Sequence, residues 1–343
     1  MDKIDIKSLS YPELEELVLG LGEAKFRAGQ IFVWLHQKQV PSFDAMNNLS
    51  AKLRAALAEQ CSLTVLKELT VQRSSDGTVK ILFELPDTNT IETVVMSHSY
   101  GTSLCISSQV GCRMGCKFCA STVGGRVRNL SPAEMLEQVY RAGEIAGKRI
   151  DSIVMMGIGE PLDNFDNVMK FLELINDPKG LNMSHRHISL STCGICDQID
   201  RLADQKLQLT LSVSLHAADD ETRDQIMPIN HKYNIGQLMQ SCKRYFALTG
   251  RRISYEFALI HGVNDNPATA EKLLKLLKGQ NCHVNLIPIN PVEGTGFTRP
   301  SKQNNERFRQ ILEDGGLSAT IRRELGTDID AACGQLRRKH REV

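Results

Sequence analysis

Along the first 65 residues the apolar positions repeat with a helical period. Ser10-Tyr11-Pro12-Glu13 is a capping box with proline in the first turn, and behind it Leu14, Leu17, Val18 and Leu21 fall on one face. Two more helices fit residues 24–39 and 50–60, so residues 1–65 read as a small helical accessory domain. From about residue 66 the rhythm changes to β-alternation. Strand candidates lie at 79–85 and 90–96, which makes 66–100 an expected β-extension.

Beyond residue 100 strands and helices alternate. Strands are expected at 103–108, 152–156, 187–191, 208–215, 253–259 and 284–289, and helices at 131–146, 164–175, 198–205, 236–248 and 268–277. Ser131-Pro132-Ala133-Glu134 is a second capping box and fixes one helix start. Six β-α units argue for a parallel sheet, either open and doubly wound or curled into a barrel. The count suits an incomplete (β/α)6 barrel over 101–320, with its active residues at the C-terminal ends of the strands. Residues 321–343 are left as a C-terminal segment.

Composition changes this picture little. The chain has 343 residues, 41% hydrophobic and 24% charged, as expected of an ordinary globular protein. No apolar run approaches the roughly 18 residues of a membrane span. The N-terminus carries acids where a secretory signal has basic and apolar regions, so a cytoplasmic protein is expected. A net charge of +1 gives no overall sign of nucleic-acid binding. Any surface for nucleic acid must therefore be local.

The ten cysteines need an explanation. In a cytoplasmic chain of this size, metal binding or catalysis is a better expectation than a disulfide framework. Cys112, Cys116 and Cys119 stand in the spacing C-x3-C-x2-C directly after the first barrel strand. A closed cluster or a structural zinc site usually takes four protein ligands. Three close thiols leave one metal position open, where the amino and carboxylate groups of S-adenosylmethionine (SAM) can bind an iron–sulfur cluster. A structural zinc site completed by a distant Cys or His is the competing reading. Cys61, Cys193, Cys196, Cys242 and Cys282 are assigned to structure or chance; Cys193 and Cys196 form a C-x2-C but have no second pair at a spacing that suits zinc.

At the strand ends, Met156-Gly157-Ile158-Gly159-Glu160-Pro161 combines glycines that allow close backbone approach with a carboxylate that can receive an ammonium. Ser191, the run Ser214-Leu215-His216, and Asn290 end later strands. Taken singly, each reads more readily as a capped strand end. Cys333, in Asp328-Ile329-Asp330-Ala331-Ala332-Cys333-Gly334, reads on its own as a small buried hydrophobe.

The three-cysteine motif resembles that of the radical SAM superfamily. The longer string Cys105-Ile106-Ser107-Ser108-Gln109-Val110-Gly111-Cys112 resembles the RNA adenine-C2 methyltransferases of the RlmN family. The likeness runs from Lys25 through His36 to Asp328–Leu336, nearly the whole chain. It implies an α/β protein built on an incomplete (β/α)6 radical SAM barrel, with an N-terminal helical domain and a β-extension. It also implies a 4Fe-4S cluster on Cys112, Cys116 and Cys119, two SAM molecules per turnover, and a SAM pocket containing Gly159, Glu160, Ser191, Ser214, Leu215, His216 and Asn290. The family usually has Ser where this chain has Cys193. By resemblance Cys333 carries the methyl group and Cys105 resolves the RNA–enzyme crosslink, forming a disulfide with Cys333. Glu92 aligns with a carboxylate proposed as proton acceptor; its competing reading is a solvated strand acid.

The implied substrates are an adenosine of 23S rRNA and one beside the anticodon of tRNA. A flavodoxin-type electron donor, no membrane partner and a monomeric state are expected with them. Phosphate contacts are expected from Lys117, Arg126 and Arg128, or from Arg322, Arg323, Arg337, Arg338, Lys339 and Arg341. Two rival functions remain. One is the sister enzyme that methylates C8 of the same rRNA adenosine, a group that tends to have Ala where this chain has Pro161. The other is a non-catalytic zinc and RNA-binding factor.

Overall fold

Three helices, α1 (Tyr11–Gly20), α2 (Phe26–His36) and α3 (Ala51–Gln60), form the N-terminal unit of the computed structural model, which describes residues 3–291, 294–329 and 336. The Ser10 box closes as expected: the Ser10 N–H donates to Glu13 Oε2 at 2.7 Å. Leu14, Val18, Ile31, Phe32, Leu35, Leu53 and Leu57 turn inward and are fully or almost fully buried. A two-residue parallel pair, β1 (Ile4–Asp5) with β2 (Cys61–Ser62), ties the two ends of the unit together. Between them and the barrel lies a buried ion pair. Lys7 Nζ is 2.5 Å from Glu137 Oε1 and 2.8 Å from the Thr64 carbonyl.

The β-rich stretch forms an antiparallel meander of β3 (Lys67–Arg73), β4 (Val79–Glu84) and β5 (Thr90–His98). Its last strand pairs antiparallel with β6 (Gly101–Cys105), and from β6 onward every neighbour in the sheet is parallel. The order continues through β9 (Ser152–Met155), β10 (Ile188–Thr192), β11 (Thr210–Ser214), β12 (Ile253–Leu259), β13 (Cys282–Pro288) and β14 (Ala319–Ile321). The meander and the barrel strands therefore make one ten-stranded sheet. A separate hairpin of β7 (Gln109–Gly111) and β8 (Arg126–Asn129) stands outside it.

Helices α4 (Pro132–Ala146), α5 (Phe165–Asn176), α6 (Cys196–Asp204), α7 (Asp220–Ile226), α8 (Ile235–Thr249), α9 (Pro267–Leu277) and α10 (Lys302–Asp314) occupy the crossovers. Ser131 caps α4, and Glu134 returns the bond at 2.9 Å to the Ser131 N–H. The five expected barrel helices are present, with no end shifted by more than two residues. α7, α10 and β14 are additions to the expected pattern.

The first barrel strand ends at Cys105, three residues earlier than the pattern suggests. Beyond it the Ile106 N–H still donates to the Val154 carbonyl at 3.0 Å, but at Ser107 a side chain takes over from the ladder. The Ser107 N–H donates to Gln138 Oε1 (2.8 Å), and Gln138 Nε2 donates back to the Ser107 carbonyl (3.0 Å). Buried amides need partners wherever they find them. No helix among the described residues is long and apolar enough to cross a membrane.

Candidate active site

The parallel strands deliver their C-terminal ends to one side of the sheet, and a cavity of about 280 Å³ opens there. The β7–β8 hairpin brackets the cysteine loop. Gly111 pairs with Arg126, so both ends of the segment 112–125 are pinned side by side. Arg113 and Arg126 both hold Asp163 beneath the loop, the latter at 2.8 Å, and Gln109 Nε2 adds a bond at 2.9 Å. Burial opposes the Asp163 charge, but these donors prevail and keep its carboxyl below the usual range. Within this frame Cys112, Cys116 and Cys119 all line the cavity.

The opposite wall comes from the strand ends. After β9 the chain passes so close to Ser108 and Gln109 that a Cβ on Gly159 would lie 2.6 Å from the Gln109 Cβ. Gly159 also has φ +111°, a second reason no other residue fits comfortably. The turn aims Glu160 inward. Its Oε2 accepts the Cys193 N–H at 2.7 Å and its Oε1 the Leu162 N–H at 3.1 Å. Burial raises the Glu160 pKa in spite of these bonds. Ser191 from β10, Ser214 from β11 and Asn290 beyond β13 line the same space.

His216 is buried and sits at φ +57°, an uncommon backbone conformation outside glycine. Its Nδ1 accepts the Ala258 N–H at 2.9 Å, which places the ring hydrogen on Nε2. Burial drives its pKa down to about 3, so the ring is neutral. Phe118, from the cysteine loop, meets it edge to face at 5.0 Å. The loop and the strand ends are thus packed as one site.

Nine of the ten expected cluster and SAM residues converge here. Leu215 is the exception, since its side chain is fully buried and does not line the cavity. It contributes through its backbone: the Leu215 N–H donates to the Glu256 carbonyl. Glu256 itself was not anticipated. It lines the cavity and is buried, and burial raises its pKa despite donors from Asn285 (2.7 Å) and Ser254 (3.0 Å). The available signal was a carboxylate inside the apolar run of β12, where a buried parallel strand normally has none.

A second cavity of about 540 Å³ adjoins the first and shares Ile287, Asn290 and Arg322 with it. Cys105, Val94, Met96, Arg323 and Leu325 line it. Cys105 pairs directly with Val94 across the β5–β6 ladder, so Glu92, two residues along, lies on the same face. Glu92 is not a solvated strand acid. It is 3% exposed and forms an ion pair with fully buried Lys80 at 2.9 Å. Cys333 lies outside the described residues, as do Arg337, Arg338, Lys339 and Arg341.

Two of the cations expected near RNA are engaged within the chain. Arg126 holds Asp163, while Arg128 bridges Asp87 and Glu134. The carboxylates of Asp163 and Glu134 are only 6% exposed, and the two arginines compensate their charge, with Arg113 a second partner for Asp163. Lys117 is exposed, and Arg322 and Arg323 line the second cavity.

The donor set fits an iron–sulfur cluster better than a single ion. Cys112, Cys116 and Cys119 are the thiols that line the cavity, beside Cys193 and the Glu160 and Glu256 carboxylates. A structural zinc site usually takes four protein ligands. A four-iron cluster places each thiolate on a different iron, so its ligands stand farther apart, and three thiols leave the fourth iron open.

A partial parallel barrel whose strand ends face a three-cysteine loop defines a radical SAM protein. The radical SAM superfamily profile matches residues 106–277, and the ribosomal RNA large subunit methyltransferase N-terminal domain profile matches 4–63. A probable dual-specificity RNA methyltransferase RlmN of Lachnospira eligens is 52% identical, covering 98% of this chain and 97% of that relative. The protein of the same description from Desulforamulus reducens is also 52% identical, over 99% of this chain and 97% of its own length. A radical SAM methyltransferase structure from Sphaerobacter thermophilus superposes with a TM-score of 0.92 at 44% identity, covering 97% of this chain and 98% of that one. The chain belongs to the RlmN family of radical SAM RNA methyltransferases. With that membership come a 4Fe-4S cluster and SAM as cofactors.

Proposed function

We propose that this chain methylates C2 of an adenosine in 23S rRNA and C2 of an adenosine beside the anticodon in tRNA. The reading rests on one observation: the three thiols and six of the seven expected SAM residues meet in a single cavity, and Cys105 lines the next one. RNA as the substrate class and a dual specificity are supported by the probable dual-specificity RNA methyltransferases it resembles, and ribosomal RNA by the N-terminal domain profile. Gly159-Glu160-Pro161 favours C2 over C8. The ring carbon at C2 is electrophilic, so an ordinary methyl transfer to it has no electron-rich acceptor.

In this reading Cys112, Cys116 and Cys119 hold the cluster, and the loaded site is a source of adenosyl radical. Glu160 receives the SAM ammonium, the Nε2–H of neutral His216 is a donor, and Ser191, Ser214, the Leu215 backbone and Asn290 complete the pocket. Cys333 would accept a methyl group from one SAM, and that carbon would become bonded to C2 of the adenine as a thioether crosslink. Cys105 then attacks the Cys333 sulfur, the S–C bond breaks, and the freed carbon takes up a proton to become the methyl group. The methylated adenosine leaves as a Cys105–Cys333 disulfide forms. Glu92 is the proposed proton acceptor. Residues 1–65 are the RNA-gripping accessory domain, 66–100 the β-extension, 101–320 the barrel and 321–343 the segment carrying the methyl. The protein would act in the cytoplasm as a monomer, reduced by a flavodoxin-type donor.

Anaerobic reaction of the reconstituted protein with SAM, reductant and ribosomal RNA, followed by nucleoside mass spectrometry, tests this. The expected product is 2-methyladenosine, absent with Cys333→Ala. Formation of 8-methyladenosine would transfer the function to the sister activity. Cleavage of SAM without any methyladenosine would overturn the substrate.

Glu160→Gln is expected to weaken SAM binding about 10–100-fold, the worth of a charge-assisted hydrogen bond of roughly 1.5–3 kcal/mol. Because burial raises the Glu160 pKa, the fold favours its protonated form at low pH. SAM affinity should therefore rise as pH climbs through that raised value, and calorimetry should find the rise missing in the Gln variant.

A further inference from the structure

Arg223 on α7 is fully buried, and all of its donors are engaged. Nε donates to the Leu215 carbonyl (3.1 Å), Nη1 to Asn230 Oδ1 (2.9 Å) and the Tyr233 carbonyl (3.4 Å), and Nη2 to the carbonyls of Cys193 (2.7 Å) and Ser214 (3.2 Å). Every one of those acceptors is neutral. Carboxylates are reached only at second hand, where Asn230 Nδ2 donates to Asp220 (3.0 Å) and Asp224 (2.7 Å). A buried guanidinium normally sits against an anion, because taking it out of water is costly. Here its position suggests which anion it serves.

The cysteine loop rests on the end of Arg223's own helix: the Lys117 N–H donates to the Ile226 carbonyl at 3.0 Å. Cys116 and Phe118 pack against Cys193, Ile226 and Met227. Cys193, whose carbonyl takes Nη2, lines the cavity with the three thiols. The charge is thus held directly behind the loop by a fork that cannot swing away.

We infer that Arg223 is a positioning residue for electron transfer, a fixed positive charge behind the cysteine loop that raises the reduction potential of the cluster. Reduction adds one negative charge to an already anionic assembly, and a nearby uncompensated cation in a low-dielectric interior favours the reduced form. Glu160 and Glu256 in the cavity wall act in the opposite sense, which makes the compensation more necessary. The inference rests on the assignment of the three thiols as cluster ligands.

The test is a redox titration of the anaerobically reconstituted holoenzyme, followed by the EPR signal of the reduced cluster, for the wild type, Arg223→Gln and Arg223→Lys. Loss of the charge in Arg223→Gln should lower the reduced-to-oxidised ratio at a fixed poise at least tenfold, about 59 mV for one electron. Arg223→Lys loses the fork but keeps the charge, so its ratio should stay within about threefold of wild type. If the Gln variant does not fold, the Lys variant decides alone: a ratio near wild type supports the inference and a tenfold drop overturns it. A Gln variant with full iron content and an unchanged potential would also overturn it. A wild type that binds no iron would refute the ligand assignment instead.

Discussion

Cys116→Ala is expected to yield a folded, colourless protein whose SAM cleavage and RNA methylation fall more than about 10³-fold, because the cofactor carries the chemistry and the protein holds it. Cys116 is the middle thiol of the loop and packs against the buried cluster that contains Met227 and Cys193. Its removal leaves Cys112 and Cys119 unable to retain a cluster that has only three protein ligands. The fold should survive, since the loop's ends are pinned by the β7–β8 pairing and by the arginines on Asp163 rather than by iron. Visible absorbance, iron content and circular dichroism on one preparation check all three statements. A variant that keeps stoichiometric iron and activity would remove Cys116 from the site.

The second large effect concerns stability. Lys7→Met should destabilise the protein by about 3–5 kcal/mol, because it strands the Glu137 carboxylate in a buried setting. Both side chains are almost inaccessible, at 1% and 2% exposure. Glu137 also accepts the Leu66 N–H at 3.3 Å, so the loss reaches the connection between the N-terminal unit and the barrel. Replacing both partners, as Lys7→Met with Glu137→Leu, should recover most of the loss, since an apolar pair needs no counter-charge. Thermal denaturation of the three variants reads this directly. A single variant that melts with the wild type would show that the pair contributes little.

Much of the barrel was legible because its strands and helices differ in period and its helices carry caps. Ser131 and Glu134 announce α4 at the level of sequence, and β12 was placed residue for residue. Other elements hid for physical reasons. α7 is seven residues long and buries only Arg223 and Ile226, so its sequence reads as a polar loop. α10 was signalled by Ser301 and by Phe308, Ile311 and Leu312, but the polar run before them masked the period. β14 has three residues, too few for alternation to register.

The same contrast holds at the site. Cysteine spacing is local and visible in sequence, whereas the cavity wall is assembled from strand ends far apart in the chain. Glu256 could have been noticed as a charge in an apolar strand. Arg223 could not, because within Asp-Asp-Glu-Thr-Arg-Asp-Gln it looks like any solvated helix residue.

The ends of the sheet carry a consequence of another kind. An open sheet presents unpaired N–H and C=O groups at its borders, and such borders template pairing with other chains. Here one border is β14, only three residues long. The other is β3, which carries Lys67, Glu68 and Arg73 and breaks register between Glu68 and Thr70. Charge, brevity and a bulge are common ways of blunting such a border. The meander β3–β5 thereby shields the flank of β6, the strand on which Cys105 sits. A barrel trimmed of that meander would offer β6 as a straight, unguarded flank, and it would be expected to aggregate along it.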